Sequence, residues 1–295
     1  MADFKSIFYT PAFSFLVGKD RSCVTIHAGV VQTVSEPINA LINNGQMEES
    51  NLRVAVLEDV EVDTFIGFCE FLYTGTYITP SLEPADDPKQ SFTFRNMATL
   101  PSGLGGVTVE PYRADELYWA DEPSAANPDD NLSRGYGSKK KKLRDRSRWA
   151  EEEPPVEVTY ANCPYARLWK CFEDRDFMGQ PAVISAKPDM LFHAKLYVFA
   201  TKYLIDGLRT QCLKSLHRDL CGFSLDKDTA PQIFNLLEFT YKNTGTCEPG
   251  GGSPLRDLVS HYVACQAQTL YNQRLHSLLA ANGEIGSDLV AKLVK

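Results

Sequence analysis

The sequence predicts an α+β fold, rich in helix, laid out as two folded stretches separated by a long insert. Three observations carry this reading. Near the N-terminus, apolar and polar residues alternate with a period of two and then switch to helical spacing. Beyond residue 190 helical spacing is the rule. Between the two, twelve of the seventeen prolines crowd into residues 80–188, where neither periodicity survives. With 295 residues, 43% of them hydrophobic, the folded stretches can bury a core of ordinary size.

"FSFLVG" and "SCVTIHA" flank the polar gap "KDR", and in the second run Val24 and Ile26 alternate with Thr25, so the two read as a β-hairpin. In "VVQTVSEPINALINNG", Val31, Val34, Ile38 and Leu41 recur at helical spacing. Pro37 is excluded from a helix interior but suits a first turn behind Ser35 or Glu36. The expectation is two short helices that meet near Ser35 and end at "NNG". "NLRVAVLED" alternates Leu52, Val54 and Val56 and reads as a third strand. "DVEVDTFIGFCEFLYTG" sets Phe65, Phe68, Cys69 and Leu72 on one helical face and closes at Gly75.

Past residue 189, "LFHAKLYVFATKYLIDGLRTQCLKSLH" reads as a helical pair, its stripe Leu196, Phe199, Ala200, Tyr203 and Leu204 serving core packing. "TAPQIFNLLEFTYKNT" and "SPLRDLVSHYVACQAQTL" follow as helices. Thr229 and Ser253 are suited to N-caps, Pro231 and Pro254 to first turns, and Leu255, Leu258, Val259 and Tyr262 mark one apolar face.

The intervening residues 79–189, with "SGLGG", "PADDP" and "NPDD", bury too little apolar surface to offset chain entropy and are expected to be mostly disordered. Two aromatic patches there, "ELYWAD" and "YARLWKCFEDRDF", are candidates to dock on the folded part or on a partner. The same segment holds a basic run, Lys139, Lys140, Lys141, Lys142, Arg144, Arg146 and Arg148, followed at once by Glu151, Glu152 and Glu153. Such a run reads first as a solvated tract, then as a nuclear-import signal, and last as a nucleic-acid contact. A net charge of −8 argues against broad attraction to phosphate backbones, so nucleic acid is not an expected partner.

Several of these segments together resemble the BTB (POZ) family. "IHAGVVQTVSEPINALI" has His27 and Ser35 eight apart, like that family's H-x7-S helix entry; "LRVAVLEDV" is similar to its third strand; "FIGFCEFLYTGTY" is close to its F-x-x-F-L-Y-T-G ending; and "LFHAKLYVFATKYLIDGLRTQCLKSLH" looks like its next helical pair, in which a K-Y-x-I/L-x-x-L segment such as "KYLIDGL" is characteristic. The C-terminal helices resemble those of the BTB proteins common in filamentous fungi. The resemblance divides the chain into a first BTB part (13–78), the insert (79–189), the BTB-terminal helices (190–220) and a helical C-terminal region (221–295).

That resemblance implies an interaction module, a small sheet with helical hairpins, that pairs with a second copy, with cullin-type ubiquitin-ligase scaffolds or with transcriptional regulators. Homodimerisation is expected, both from the family and because an apolar strand near Phe13 to Leu16 would otherwise be an exposed edge. One departure weakens it: Cys23 stands where many members carry an Asp that supports their dimer. Cullin-binding members carry an apolar residue, any residue and Glu before the third strand. Met47-Glu48-Glu49 fits that pattern, with Met47 and Glu49 as contact residues and Tyr73 and Tyr77 completing the surface. The implied function is substrate adaptor of a cullin-type ligase, the substrate protein being unknown. The alternative is a non-ligase scaffold or nuclear transcriptional regulator. No kelch repeat, zinc finger or second recognition domain is present to hold a substrate.

No catalytic constellation emerges. "GLGGVT" fails the dinucleotide-binding pattern at its last position, and no G-x-S-x-G, P-loop or H-E-x-x-H occurs. His217 and Cys221 are four apart on a helix, but two more metal ligands would be needed, from residues such as His193 or Cys212. No metal, cofactor or catalytic residue is therefore expected, nor an enzyme. His27 reads as a hydrogen-bonded structural histidine and Cys69 as core packing. The eight cysteines lack any C-x-x-C and read as reduced thiols; with no signal-like leader and no long apolar run, a nuclear or cytoplasmic location without a membrane is expected.

Overall fold

In the computed structural model, residues 4–80, 164–185 and 188–294 are described. The "ELYWAD" patch and the basic run from Lys139 to Arg148 lie outside them. The first stretch runs α1 (Phe4–Phe8), β1 (Ala12–Val17), β2 (Ser22–His27), a 3-10 turn (Ala28–Val31), α2 (Glu36–Asn43), α3 (Glu48–Leu52), β3 (Val54–Leu57) and α4 (Val62–Thr74). The second runs α5 (Pro164–Glu173), α6 (Met190–Lys202), α7 (Asp206–Cys221), α8 (Ala230–Asn243), α9 (Pro254–Cys265), α10 (Ala267–Leu270), α11 (Gln273–Ala281) and α12 (Gly283–Leu293). This is a helix-rich chain with one small mixed sheet, ordered β2-β1-β3, in which β1 is antiparallel to β2 and parallel to β3.

The position of β1 corrects one expectation. It is the central strand, and Phe13, Phe15 and Val17 are each no more than 1% exposed. The apolar run therefore does not form an open edge, and that motive for self-association falls away. The edges are β2 and β3.

β3 brings a second correction. The parallel register pairs Phe15 with Ala55 and Val17 with Leu57, so those odd-numbered residues share the buried face. The apolar stripe read from the sequence points the other way: Val54 and Val56 are 36% and 47% exposed, and Leu52, at 65%, belongs to α3 rather than to the strand.

Under the sheet lies α4, whose predicted face is the buried one. Phe65 and Phe68 are fully buried, with Phe65 4.9 Å from Phe15 and Phe68 5.0 Å from Phe199 of α6, measured between ring centroids. Gly67 permits this approach, since a Cβ there would come within 2.7 Å of the Phe192 ring. Gly75 closes α4 in the left-handed conformation at φ 75°. Cys69 packs against the same core, and burial pushes its thiol up to about 12.

His27 and Ser35 act as fasteners. Tyr73 Oη accepts from the His27 backbone N–H at 3.0 Å and lies 2.9 Å from His27 Nδ1. Ser35 caps α2 by accepting from Ile38 N and donates to the Tyr203 carbonyl at 2.7 Å. Together they tie the hairpin to α4, and α2 to the end of α6. The α6 stripe is buried as far as Ala200; Tyr203 is half-buried, while Leu204 follows the helix in a left-handed conformation and is 50% exposed.

Helix α5 revises the expected extent of the insert. Residues 164–173 lie within 79–189, yet they form a helix that packs on α9. Phe172 is fully buried, stacked on Trp169 at 5.5 Å and with the tilted ring of Tyr262 at 5.6 Å. Of the two docking alternatives for "YARLWKCFEDRDF", the structure takes the folded part. Farther on, Ser253 caps α9 by accepting from Arg256 N, and Leu255, Leu258, Val259 and Tyr262 are buried as one face. Thr229 does not cap α8; its hydroxyl bonds within the preceding turn, to Ser224 O and Asp226. Among the described residues, no helix is long and apolar enough to cross a membrane.

Candidate functional site

Met47 and Glu49 stand on one short element. Met47 occupies the N-cap position of α3, and Glu48 and Glu49 form its first turn. The helix is only five residues long, held by Ser50 Oγ donating to Ile42 O at 2.7 Å. Met47 is 43% exposed, and Glu48 and Glu49 are exposed. Leu52 at the end of α3 and Val54 and Val56 of β3 are exposed apolar residues as well.

The two tyrosines expected to complete that surface do not join it. Tyr73 is half-buried, its hydroxyl committed to His27. Tyr77 is fully buried and cannot contact a partner. Its hydroxyl lies 2.6 Å from His193 Nδ1, and His193 Nε2 lies 2.8 Å from Asp219 Oδ2. Because an ionised Asp219 only accepts, Nε2 donates to it, and in the neutral imidazole Nδ1 then accepts from Tyr77. Arg218 Nε donates to Asp219 Oδ1 at 2.7 Å, and its Nη1 to the Ala182 carbonyl.

This relay joins both margins of the insert to the helical pair. Val183 N donates to Tyr77 O at 3.2 Å, Ile78 and Val183 form an isolated bridge, and Ala182 N donates to Ser215 Oγ. Tyr77 and His193 are both sealed from solvent, so the Tyr-His-Asp order reaches no substrate-accessible atom. Burial raises the Tyr77 phenol well above its usual range. Sequence reading missed this constellation because its members lie 116 and 26 residues apart along the chain.

His217 and Cys221 do approach one another, at 3.5 Å. His217 Nε2, however, donates to the Phe172 carbonyl at 2.7 Å, which leaves that nitrogen no lone pair for a metal. His193 is occupied in the relay, and Cys212 is buried, its thiol pushed up to about 12 by burial. Among the described residues, no group of three or more His, Cys, Asp or Glu is placed to hold a metal.

A cleft of 530 Å³ opens between α9, α12 and the loop before α9, with Arg175, just past α5, at its wall. Arg175, Arg256, Lys292, Asp257 and Asp288 line it. Its charges are matched internally: Asp257 takes both Arg175, at 2.5 Å, and Lys292, while Arg256 pairs with Glu284 at 2.5 Å. Asp288 accepts from Tyr241 Oη at 2.6 Å. The set cross-braces the C-terminal helices and leaves no cation among these three unpaired.

A pH dependence follows from the histidines beside this cleft. Burial, foremost, and Arg175 hold both His217 and His261 below the ordinary value of 6.5, and Lys292 adds to the effect at His261. Imidazoles depressed in this way bind protons more readily in the unfolded chain, so their contribution to stability is complete above pH 6.5 and declines as the pH falls towards the folded values. Urea unfolding midpoints should drop between about pH 7.5 and about pH 5.5, and drop less in a His217→Gln, His261→Gln double variant. Equal slopes in the two proteins would remove the histidines from the account.

No family model, curated protein or solved structure matches this chain.

Proposed function

We propose that the chain is a protein–protein interaction module of the BTB kind, self-associating, which presents Met47 and Glu49 to a cullin-type ubiquitin-ligase scaffold as a substrate adaptor. The observation that carries this reading is the α3 surface, where Met47 is 43% exposed beside exposed Glu48 and Glu49. An exposed methionine among carboxylates suits insertion into an apolar pocket with a polar rim. The contact is smaller than the sequence motif implied, because Tyr77 is buried and Tyr73 is engaged by His27.

The test is a titration of the intact chain against the N-terminal region of a cullin scaffold, beside a Met47→Ala, Glu49→Ala double variant. Burying one methionine side chain contributes about 1.5 to 3 kcal/mol, so the variant should bind roughly ten- to a hundredfold more weakly. Both residues are exposed, so its unfolding midpoint should stay within about 0.5 kcal/mol of the native chain's. Equal affinities would withdraw the α3 contact, and no binding by the intact chain would leave a scaffold or nuclear regulator without a ligase link.

A further inference from the structure

The outer edge of β3 has a geometry that fits a second copy of itself. In the parallel pairing with β1, Ser14 N donates to Arg53 O and Gly18 N donates to Leu57 O, with Ser14 opposite Val54 and Leu16 opposite Val56. That register turns the backbone groups of Arg53, Ala55 and Leu57 towards β1. The N–H and C=O of Val54 and Val56 therefore point away from β1, two donors and two acceptors on an edge that no strand among the described residues covers. Natural edges are usually protected by shortness, charge, proline, a bulge or a covering element; β3 is short, at four residues, but Val54-Ala55-Val56 carries no charge, proline or bulge. The side chains on its outer face are apolar and exposed, Val54 at 36% and Val56 at 47%.

We propose that two copies of this chain pair antiparallel along β3, about a twofold axis at Ala55, so that the two three-stranded sheets continue into one. The segment reads the same in both directions, Val-Ala-Val, and this selects the partner. A twofold register that sets Ala55 opposite Ala55 of the partner subunit sets Val54 opposite Val56 of the partner subunit, and the converse. The outward backbone groups then meet as two hydrogen-bonded pairs, four hydrogen bonds in all, with valines adjacent on the same face. A shift by one residue would set outward-facing groups against inward-facing ones and bring the buried face of one sheet onto the exposed face of the other.

Charge agrees with this register. Arg53, at the start of the edge, is exposed and has no ion-pair partner among the described residues, while Glu58, at its end, is exposed and pairs with Arg21. Antiparallel pairing brings Arg53 of each copy to the end of the strand where Glu58 of the partner subunit lies. An isologous contact of this kind closes on itself as a dimer and leaves β2 at the two outer edges.

The proposal rests on the self-association reading and specifies its surface, and two measurements separate their fates. Sedimentation velocity of the full chain at tens of micromolar should give twice the monomer mass, and a Val54→Lys, Val56→Lys variant, folded by circular dichroism, should give the monomer mass. A dimeric variant would overturn the β3 pairing while leaving self-association intact. A monomeric native chain would overturn both. As a readout that needs no disruptive substitution, a photo-crosslinking residue at position 54 in a mixture of light and nitrogen-15-labelled chains should yield mixed-isotope crosslinks within the peptide that begins at Val54. Crosslinks confined to other segments would overturn the register even if the dimer is present.

Discussion

Replacing Asp219 by alanine should cost the fold about 3 to 5 kcal/mol, because it leaves His193 and Arg218 without the carboxylate that pairs them in a nearly sealed site. His193 is fully buried and Asp219 is 8% exposed, so water cannot substitute for the lost acceptor. The damage extends along the relay. His193 Nε2–H loses its acceptor, the imidazole that receives the Tyr77 hydroxyl is no longer oriented, and Arg218, which also holds the Ala182 carbonyl, loses its anchor. Tyr77→Phe keeps the ring packing and removes one hydroxyl, leaving His193 Nδ1 without its donor, and should cost about 1 to 3 kcal/mol. Urea unfolding of the native chain and both variants decides the matter, and a loss below about 1 kcal/mol in Asp219→Ala would show the relay to be dispensable. The relay also predicts an acid limb. Burial acts to raise the Asp219 carboxyl, but hydrogen bonds from His193 and Arg218 outweigh it and hold the group below its ordinary 3.8. Its stabilising contribution is therefore present above that ordinary value and is lost as the pH falls through the folded value.

Phe172→Ala should be comparably severe, at about 3 to 5 kcal/mol, since it empties a fully buried aromatic site. The ring is surrounded by four others, Trp169, Tyr262, His217 and His261, with centroids 5.0 to 5.6 Å away. These neighbours come from three helices, α5, α7 and α9, and each is fixed by contacts of its own, so the cavity cannot collapse cheaply. The backbone is involved too, because the Phe172 carbonyl accepts from His217 Nε2. Trp169 stacks on the lost ring, and its fluorescence should move to the red as it becomes wetter. Phe172→Leu, which fills part of the space, should cost less. A Phe172→Ala protein within about 0.5 kcal/mol of the native chain would mean that α5 is not anchored on α9 through this side chain.

Much of the fold was legible along the chain. The β1–β2 hairpin, the start of α2 at Ser35 or Glu36, the Phe65 and Phe68 face of α4, the Gly75 stop, the α6–α7 pair and the Ser253 cap of α9 all followed from local pattern. In each case the signal, alternation, capping chemistry or a helical stripe, lies within a few residues. What misled was sidedness. Val54 and Val56 were the apolar members of a strand pattern, yet the parallel register with β1 spends the buried face on Ala55 and Leu57. The order of strands in a sheet is likewise no local property, which is why β1 was expected at an edge and sits at the centre.

The candidate site divides in the same way. Met47 and Glu49 were legible as a short motif, and the structure sets both on the surface of α3. Tyr73 and Tyr77 were placed with them by position in a motif, and the fold draws each inward to a histidine that sequence distance concealed: His27 for Tyr73 and His193 for Tyr77. Composition expected 79–189 to be mostly without a core and left open where "YARLWKCFEDRDF" would dock; the amphipathic "YARLWKCFE" finds in α9 an apolar face that local pattern could not name.

By itself, then, the sequence determined the β1–β2 hairpin, the helices α4 and α6 to α9 and the Ser253 cap, because those choices are settled by backbone sterics and neighbours three or four positions away, whereas α3, α5 and the uncapped start of α8 were not read from it. Only the tertiary structure decided which face of β3 is buried, which tyrosines are available to a partner, and which distant polar groups close into the Tyr77–His193–Asp219 relay. Those outcomes depend on burial, and burial is set by what packs against a residue from elsewhere in the chain.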